Sequence, residues 1–235
     1  MTYVLSDLHG CYDKYKTMLE TIRFKSSDTL YVLGDVIDRG PDGIKILMDM
    51  MSRPNVVPVL GNHELTAAVC ISWLTKEITD QSVDDLGSDQ IAAYSEWMEN
   101  GSEPTLRALS LLEREEREDV LEYLREMELY AEVEAGGNSF VLVHAGLGGF
   151  APDRPLDDYE LNDLLFGRPD PEQVYFEDKF LVFGHTPTRL LRQWAGVAPA
   201  DAIFRSGNQI GIDCGCGFGG RLGCLCLDTM EEFYT

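Results

Sequence analysis

The chain has 235 residues and a formal net charge of −22, with 41 acidic against 19 basic side chains. Nucleic acids are bound through clustered Lys and Arg, so this balance argues against a nucleic-acid partner. No apolar run approaches the roughly 20 residues that a membrane helix requires. The chain also starts without the basic segment and apolar core of an export signal. We therefore expect a cytoplasmic protein with no membrane partner, and nothing in the sequence indicates its oligomeric state.

The first third of the chain alternates strand-like and helix-like patterns. Strand-like runs at 3–5, 30–33 and 56–60 alternate with helical patterns at 11–24, 41–51 and 64–74. Pro41 suits the first turn of the second helix. This β-α-β-α-β order predicts a sheet with parallel strands that is covered by helices.

The middle of the chain has a different character, with helical periodicity at 94–98 and 105–130 and dense acidic charge. We interpret the acidic side chains as a solvated helix face. No convincing linker separates this stretch from the rest, so we predict a helical insertion, residues 65–138, within a single domain spanning 1–235. Strand-like segments dominate after it, at 139–143, 180–183, 209–213 and 222–227.

Four of the six cysteines form two Cys-x-Cys pairs, Cys214/Cys216 and Cys224/Cys226. Structural zinc usually takes ligand pairs that are separated by two to four residues. Alternate residues of a strand share one face, so we predict small buried side chains in two strands that a glycine-rich turn joins. Zinc binding and disulfides are the weaker alternatives.

Residue types that bind metals or transfer protons follow the strand-like runs. All four histidines do so, at His9, His63, His144 and His185, and a fifth polar cluster surrounds Asp35. Each cluster alone has a simpler explanation, such as a turn cap, an ion pair or a core histidine. Because loops at strand ends converge on one edge of an α/β fold, we expect the five clusters to meet at one site.

Taken together, the clusters resemble the phosphoprotein phosphatase family of binuclear metallophosphoesterases. The matching segments are Asp7-Leu8-His9-Gly10, Gly34-Asp35-Val36-Ile37-Asp38-Arg39-Gly40, Gly61-Asn62-His63-Glu64, Val143-His144-Ala145-Gly146 and Gly184-His185-Thr186-Pro187. The segment Ile212-Asp213-Cys214-Gly215 is similar to the bacterial-type serine/threonine phosphatase branch. The resemblance implies an α-β-β-α sandwich of two mixed sheets that are flanked by helices.

The resemblance also implies two divalent metal ions that share one bridging carboxylate, Asp35. The implied ligands are Asp7, His9 and Asp35 for the first ion and Asp35, Asn62, His144 and His185 for the second. Mixed nitrogen and oxygen ligands suit Mn²⁺, our first choice, and Fe, Zn or Mg as alternatives. With a hydroxide held between the ions, the pocket keeps one net positive charge, although the whole chain is acidic.

His63 is the histidine that metal binding does not require, so we expect it to protonate the leaving group. Asp38 is its expected partner and would raise the pKa of the ring. Arg39 is expected to bind phosphate oxygens, together with Asn62. Arg168 resembles a second phosphate-binding arginine of the family, with Arg154 as the alternative in the same interval.

These roles predict a metal-dependent phosphomonoesterase that hydrolyses phosphoserine or phosphothreonine by direct attack of the metal-bridging hydroxide. Its partner would be a phosphorylated protein or peptide, or a small phosphoester. The alternative is a symmetrical dinucleoside polyphosphate hydrolase acting on diadenosine tetraphosphate, since such enzymes share the motifs. Only 19 Lys and Arg are available for its extra phosphates, which favours the phosphoprotein. A non-catalytic phospho-ligand binding protein ranks third, because every implied ligand is present.

Overall fold

The computed structural model describes residues 1–74 and 87–235. Its ten described strands form two five-stranded sheets, ordered β10-β9-β1-β2-β3 and β4-β5-β6-β8-β7. The strands are β1 (Thr2–Leu5), β2 (Thr29–Leu33), β3 (Val56–Val59), β4 (Tyr130–Ala135), β5 (Asn138–Val143), β6 (Lys179–Phe183), β7 (Phe204–Ser206), β8 (Gln209–Gly211), β9 (Gly223–Cys226) and β10 (Glu232–Tyr234). The α-helices are α1 (Tyr12–Thr21), α2 (Gly43–Met51), α3 (Asn62–Leu74), α4 (Ser88–Glu99), α5 (Glu103–Ser110), α6 (Arg114–Arg125), α7 (Leu161–Leu165) and α8 (Thr188–Trp194).

Both sheets are mixed. In the first sheet β1, β2 and β3 pair in parallel, and β9 and β10 add antiparallel strands at one side. In the second sheet β5, β6 and β8 pair in parallel between the antiparallel edge strands β4 and β7. The predicted α-β-β-α sandwich is therefore confirmed, and the parallel strands direct their carboxyl ends to a common side.

Strand alternation divides the apolar residues between two cores. Val4 of β1 belongs to the core between the sheets, together with Leu142 of β5 and Val182 of β6. Its neighbours Tyr3 and Leu5 point to the other face, where they join the core under the helices. Successive strand side chains point to opposite faces, so each parallel strand must be apolar on both sides. Within the described residues, no helix has the length and apolar character that crossing a bilayer would require.

The middle segment is only partly as predicted. Helices α4, α5 and α6 lie in it, and residues 75–86 of the predicted insertion 65–138 fall outside the described residues. The helical pattern predicted over 105–130 is interrupted before α6, where Glu113 takes an extended conformation and caps the next helix. The segment also contains strand β4, which pairs with β5, so the predicted helical insertion is helical only in part. Exposed Glu132 and Glu134 alternate with less exposed neighbours there, which is the period of an edge strand.

The Cys-x-Cys pairs are buried as predicted, and all six cysteines are free thiols. Cys224 and Cys226 lie on one face of β9. The two predicted strands are present as β8 and β9, but they belong to different sheets and β8 ends before Cys214. Cys214 and Cys216 lie beyond the end of β8, in the segment that crosses between the sheets. Glycines there form tight turns that connect the two layers rather than a hairpin.

Removing apolar volume between the sheets should destabilise the sandwich. Leu142 is fully buried, so Leu142→Ala should lower the free energy of unfolding by about 2–5 kcal/mol in urea titrations. The control is Leu111→Ala, which truncates a leucine that is 81% exposed and should change stability by less than about 0.5 kcal/mol. Equal effects of the two substitutions would contradict the packing described here.

Candidate metal centre

The loops that follow β1, β2, β3, β5 and β6 bring the residues singled out in the sequence to one place. Six of the eight non-glycine residues with left-handed backbone in the described chain belong to this set. They are Asp7, His9, Asp35, Asp38, Arg39 and His185. Left-handed backbone at a non-glycine residue is strained and persists only where surrounding contacts enforce it. Its concentration at these loop positions marks them as a functional site.

The loops after β3, β5 and β6 form one half of the site. The Asn62 Oδ1 atom lies 2.9 Å from His144 Nε2 and 3.0 Å from His185 Nδ1. His144 Nδ1 lies 2.8 Å from the Leu33 carbonyl oxygen, which can only accept, so Nδ1 carries the proton in the neutral ring. The lone pairs of His144 Nε2 and Asn62 Oδ1 then face each other, and a cation between them would relieve this repulsion. These donors therefore fit a metal ion.

The loops after β1 and β2 form the other half. His9 Nε2 lies 3.5 Å from Asp35 Oδ2, while His9 Nδ1 lies 3.0 Å from the Ile37 carbonyl oxygen and is thereby assigned its proton. The second carboxylate oxygen of Asp35 lies 3.4 Å from His144 Nε2 in the first half. Asp35 thus stands between the two sets of histidines, where a bridging carboxylate must be. The geometry fits two ions that share Asp35.

His63 also lies near this second half, with Nε2 3.8 Å from Asp35 Oδ2. By distance alone, His9, Asp35 and His63 could therefore hold an ion. We do not assign His63 as a ligand, because its hydrogen bonds and its pKa, described below, differ from those of the other three histidines.

Asp7 joins the two sheets at the site. Its carboxylate accepts the backbone N–H of His185, with nitrogen–oxygen distances of 3.0 and 3.2 Å. Burial, with the neighbouring carboxylates of Asp213 and Asp35, raises the pKa of Asp7 well above its ordinary value. Burial likewise raises the pKa of Asp213 to about 6. Such crowding of buried carboxylates favours binding of a compensating cation.

Glu64 holds the loop that carries Asp35, a role that the sequence pattern did not indicate. Its buried carboxylate accepts the backbone N–H groups of Asp35, Val36 and Ile37 at 2.7, 2.8 and 3.2 Å. Burial raises the pKa of Glu64 to about 7 despite these bonds. A Cβ at Gly61 would come within 2.5 Å of both the Asp35 and Glu64 carboxylates, so only glycine fits there. Glu64 is therefore a positioning residue.

His63 forms a buried pair with Asp38, with its Nδ1 2.7 Å from Asp38 Oδ2. The insertion supplies two further donors to this carboxylate, Trp97 Nε1 at 2.9 Å and Thr105 Oγ1 at 2.6 Å. Both residues are buried, and the helical pattern of the insertion did not indicate these contacts. The insertion is thus part of the site, because it holds the partner of His63.

The pKa values separate His63 from the other three histidines. Burial lowers the pKa of His9 and of His185 to about 3, and it also lowers the pKa of His144. Burial opposes protonation of His63 too, but the carboxylates of Asp35 and Asp38 outweigh it and raise its pKa. Neutral imidazole is the form that ligates metals, and a raised pKa suits a proton donor.

Two arginines line the same cavity as these residues. The cavity has a volume of about 420 Å³ and is bordered by Asp35, Asn62 and His63 as well as by Arg39 and Arg168. Arg39 places Nη1 2.7 Å from His9 Nε2 and Nη2 3.2 Å from His63 Nε2, and Arg168 donates to the Thr186 hydroxyl at 3.0 Å.

Arg154, the alternative to Arg168, does not border this cavity. It instead forms an ion pair with Asp163, with a nitrogen–oxygen distance of 2.9 Å. The structure therefore favours Arg168 as the second arginine of the site.

The two-sheet sandwich and the two donor groups around Asp35 fit the metallophosphoesterase class that the sequence resemblance implies. The sequence matches the calcineurin-like phosphoesterase family over residues 2–210. The chain therefore belongs to this family. The narrower expectation of a serine/threonine phosphatase is not what its curated relatives indicate.

Those relatives are named as symmetrical bis(5'-nucleosyl)-tetraphosphatases. One from Acidovorax sp. (strain JS42) is 33% identical over 147 residues, which cover 62% of this chain and 43% of the relative. One from Baumannia cicadellinicola is 35% identical over 100 residues, which cover 41% of this chain and 35% of the relative. The matched region is less than half the length of these relatives.

Solved structures show the same fold. The chain is similar to "a putative diadenosine tetraphosphatase", with a TM-score of 0.68, 20% identity, and coverage of 100% of this chain and 92% of the other. A protein serine/threonine phosphatase from Saccharomyces cerevisiae gives a TM-score of 0.50 at 12% identity, covering 95% of this chain and 71% of the other. At these identities the likeness concerns the fold alone.

Replacing the histidines one at a time should separate metal binding from chemistry. His144→Asn should lower the metal content of the purified protein, whereas His63→Asn should keep it. His63→Asn should slow hydrolysis of phenyl phosphate by about 10²–10⁴-fold and of p-nitrophenyl phosphate much less, because a good leaving group needs no proton. Metal loss in His63→Asn, or equal losses for the two esters, would contradict its role as the acid.

Glu64→Gln should weaken metal binding without replacing any ligand. The amide would point an N–H donor at backbone N–H groups that need an acceptor, which costs about 1–3 kcal/mol. We expect a higher metal concentration for half-maximal activity and a lower melting temperature. Glu103→Gln, at an exposed glutamate, is the control. Unchanged metal dependence in Glu64→Gln would show that the Glu64 carboxylate does not position Asp35.

Proposed function

We propose that this protein hydrolyses dinucleoside polyphosphates, with diadenosine tetraphosphate as the representative substrate. The observation that carries the proposal is that Arg39 and Arg168 line the same 420 Å³ cavity as His63 and Asp35. The curated relatives named for this activity support the choice of substrate. Symmetrical cleavage would break the central anhydride and release two nucleoside diphosphates.

The overall scarcity of basic residues is a poor guide to this substrate. The total of 19 Lys and Arg, which predicted a phosphoprotein substrate, counts residues over the whole chain. Binding of a polyphosphate depends on the charge in the cavity, and the two exposed guanidinium groups of Arg39 and Arg168 supply it there. The curated relatives reported above are named for cleavage of dinucleoside tetraphosphates and not for phosphoproteins.

Two divalent ions bound at the donor set would lower the pKa of water and stabilise negative charge on the phosphate. Arg39 would turn its guanidinium donors from His9 and His63 toward phosphate oxygens. This leaves His63 Nε2 free to carry a proton, with Asp38 holding Nδ1. Trp97 and Thr105 keep the Asp38 carboxylate in place, so His63 is presented to the leaving oxygen in one orientation.

His63 should matter less for this substrate than for a phosphoserine. A departing nucleoside diphosphate is a weak base and leaves without much help from a proton, whereas an alkoxide needs one. Retention of the His63–Asp38 pair is consistent with either chemistry. The choice between substrates therefore has to be made by direct comparison of rates.

The test compares diadenosine tetraphosphate with phosphoserine and phosphothreonine peptides, using purified protein with Mn²⁺. We expect kcat/KM for the dinucleotide to exceed that for the peptides by at least about 100-fold, which corresponds to about 2.7 kcal/mol of extra transition-state binding. Chromatography should show ADP as the sole nucleotide product. Asp35→Asn is the inactive control. Faster peptide turnover, or release of AMP and ATP, would overturn the proposal.

A further inference from the structure

A second cavity adjoins the metal centre. It has a volume of about 390 Å³, and it shares Pro187, Leu190 and Phe218 with the 420 Å³ cavity described above. Both volumes lie within the roughly 300–1,000 Å³ of small-molecule sites. A ligand whose phosphates occupy the first cavity could therefore extend past Phe218 into the second without leaving the protein surface.

Phe218 stands at the boundary between the two cavities, and its side chain is 68% exposed. It closes a short 3₁₀ turn, Cys216–Phe218, that left-handed glycines flank on both sides, Gly215 at φ 78° and Gly219 at φ 81°. The Arg39 guanidinium carbon lies 4.6 Å from the centre of its ring. A cation over one ring face fixes the aromatic plane and leaves the opposite face available.

The charges of the two cavities differ. The first contains the two arginines that suit phosphate, Arg39 and Arg168. In the second, Arg189 is paired with Asp201 through two hydrogen bonds, of 2.9 and 3.3 Å. This pair neutralises the second cavity while still presenting donor and acceptor groups. Such a surface suits an uncharged heterocycle with polar edges better than it suits another phosphate.

We propose that the second cavity binds one nucleobase of the substrate, stacked on the face of Phe218 that points away from Arg39. The inference rests on the proposed function, since it deepens the choice of a dinucleoside polyphosphate. Aromatic side chains stack on any base, so Phe218 would favour a nucleoside over a bare phosphate chain without selecting among bases. Phe218 is thus a specificity-determining residue.

Binding measurements on ADP and inorganic diphosphate isolate the base from the phosphates. In calorimetric titrations of the metal-loaded protein, Phe218→Ala should raise the dissociation constant of ADP by about 10-fold. The dissociation constant of diphosphate should stay within about twofold. Phe218→Trp should retain ADP affinity, because it keeps an aromatic face. Trp194→Ala removes an exposed aromatic side chain that borders neither cavity and should change neither constant.

Several outcomes would overturn the inference. Equal weakening of ADP and diphosphate in Phe218→Ala would mean that Phe218 acts through Arg39 rather than on a base. Unchanged ADP affinity would mean that no base stacks there. A misfolded Phe218→Ala protein would lose its thermal transition. The dissociation constants of ADP for Phe218→Leu, which keeps the bulk, and Phe218→Trp, which keeps an aromatic ring, would then decide. Equal ADP affinity in these two variants would overturn the inference.

The subsite and the proposed function can fail separately. If the protein hydrolyses diadenosine tetraphosphate and Phe218→Ala keeps the same KM, the function stands and the subsite is wrong. If the protein leaves the dinucleotide intact but Phe218→Ala still weakens ADP selectively, the subsite stands and the substrate assignment is wrong.

Discussion

The buried carboxylate of Glu64 is the contact on which the metal centre depends. By accepting three consecutive backbone N–H groups, it fixes the loop after β2 in a strained, left-handed conformation at Asp35. That loop in turn holds the loop after β1, because the backbone carbonyl oxygen of Asp35 accepts the backbone N–H of His9 at 2.8 Å. One interaction therefore orients Asp35, the proposed shared carboxylate, together with His9, a proposed ligand. Preorganised sites keep their geometry in this way before a ligand binds.

The rest of the site is assembled from separate parts of the chain on this frame. The second sheet contributes His144 and His185, and the backbone of His185 is tied to Asp7 of the first sheet. The middle helices contribute Trp97 and Thr105 to the carboxylate that holds His63. Three layers of the fold thus converge on one cavity. Arg39 and Arg168 place two positive charges at this cavity, although the chain carries a net charge of −22.

Strand and helix patterns predicted the helix-covered parallel strands and the polar clusters at their ends, because these signals are local. The two-sheet sandwich was implied by the family resemblance. The patterns failed where the deciding contact is not local. Nothing in the sequence around Trp97 indicates a hydrogen bond to Asp38, which is 59 residues away. A tryptophan at helical spacing ordinarily packs in the core. Glu64 was visible beside His63, but a glutamate in a first helical turn is explained by the helix dipole alone. Strand β4 was missed because a short alternating edge strand resembles a charged helix in composition.

Anomalous diffraction from crystals grown with Mn²⁺ would show whether two metal ions share Asp35. We expect two ions about 3.5–4 Å apart. One should contact His9 Nε2 and the other His144 Nε2, with Asp35 touching both and His63 touching neither. A single ion, or an ion bound by His63 in place of His9, would contradict the proposed metal pair.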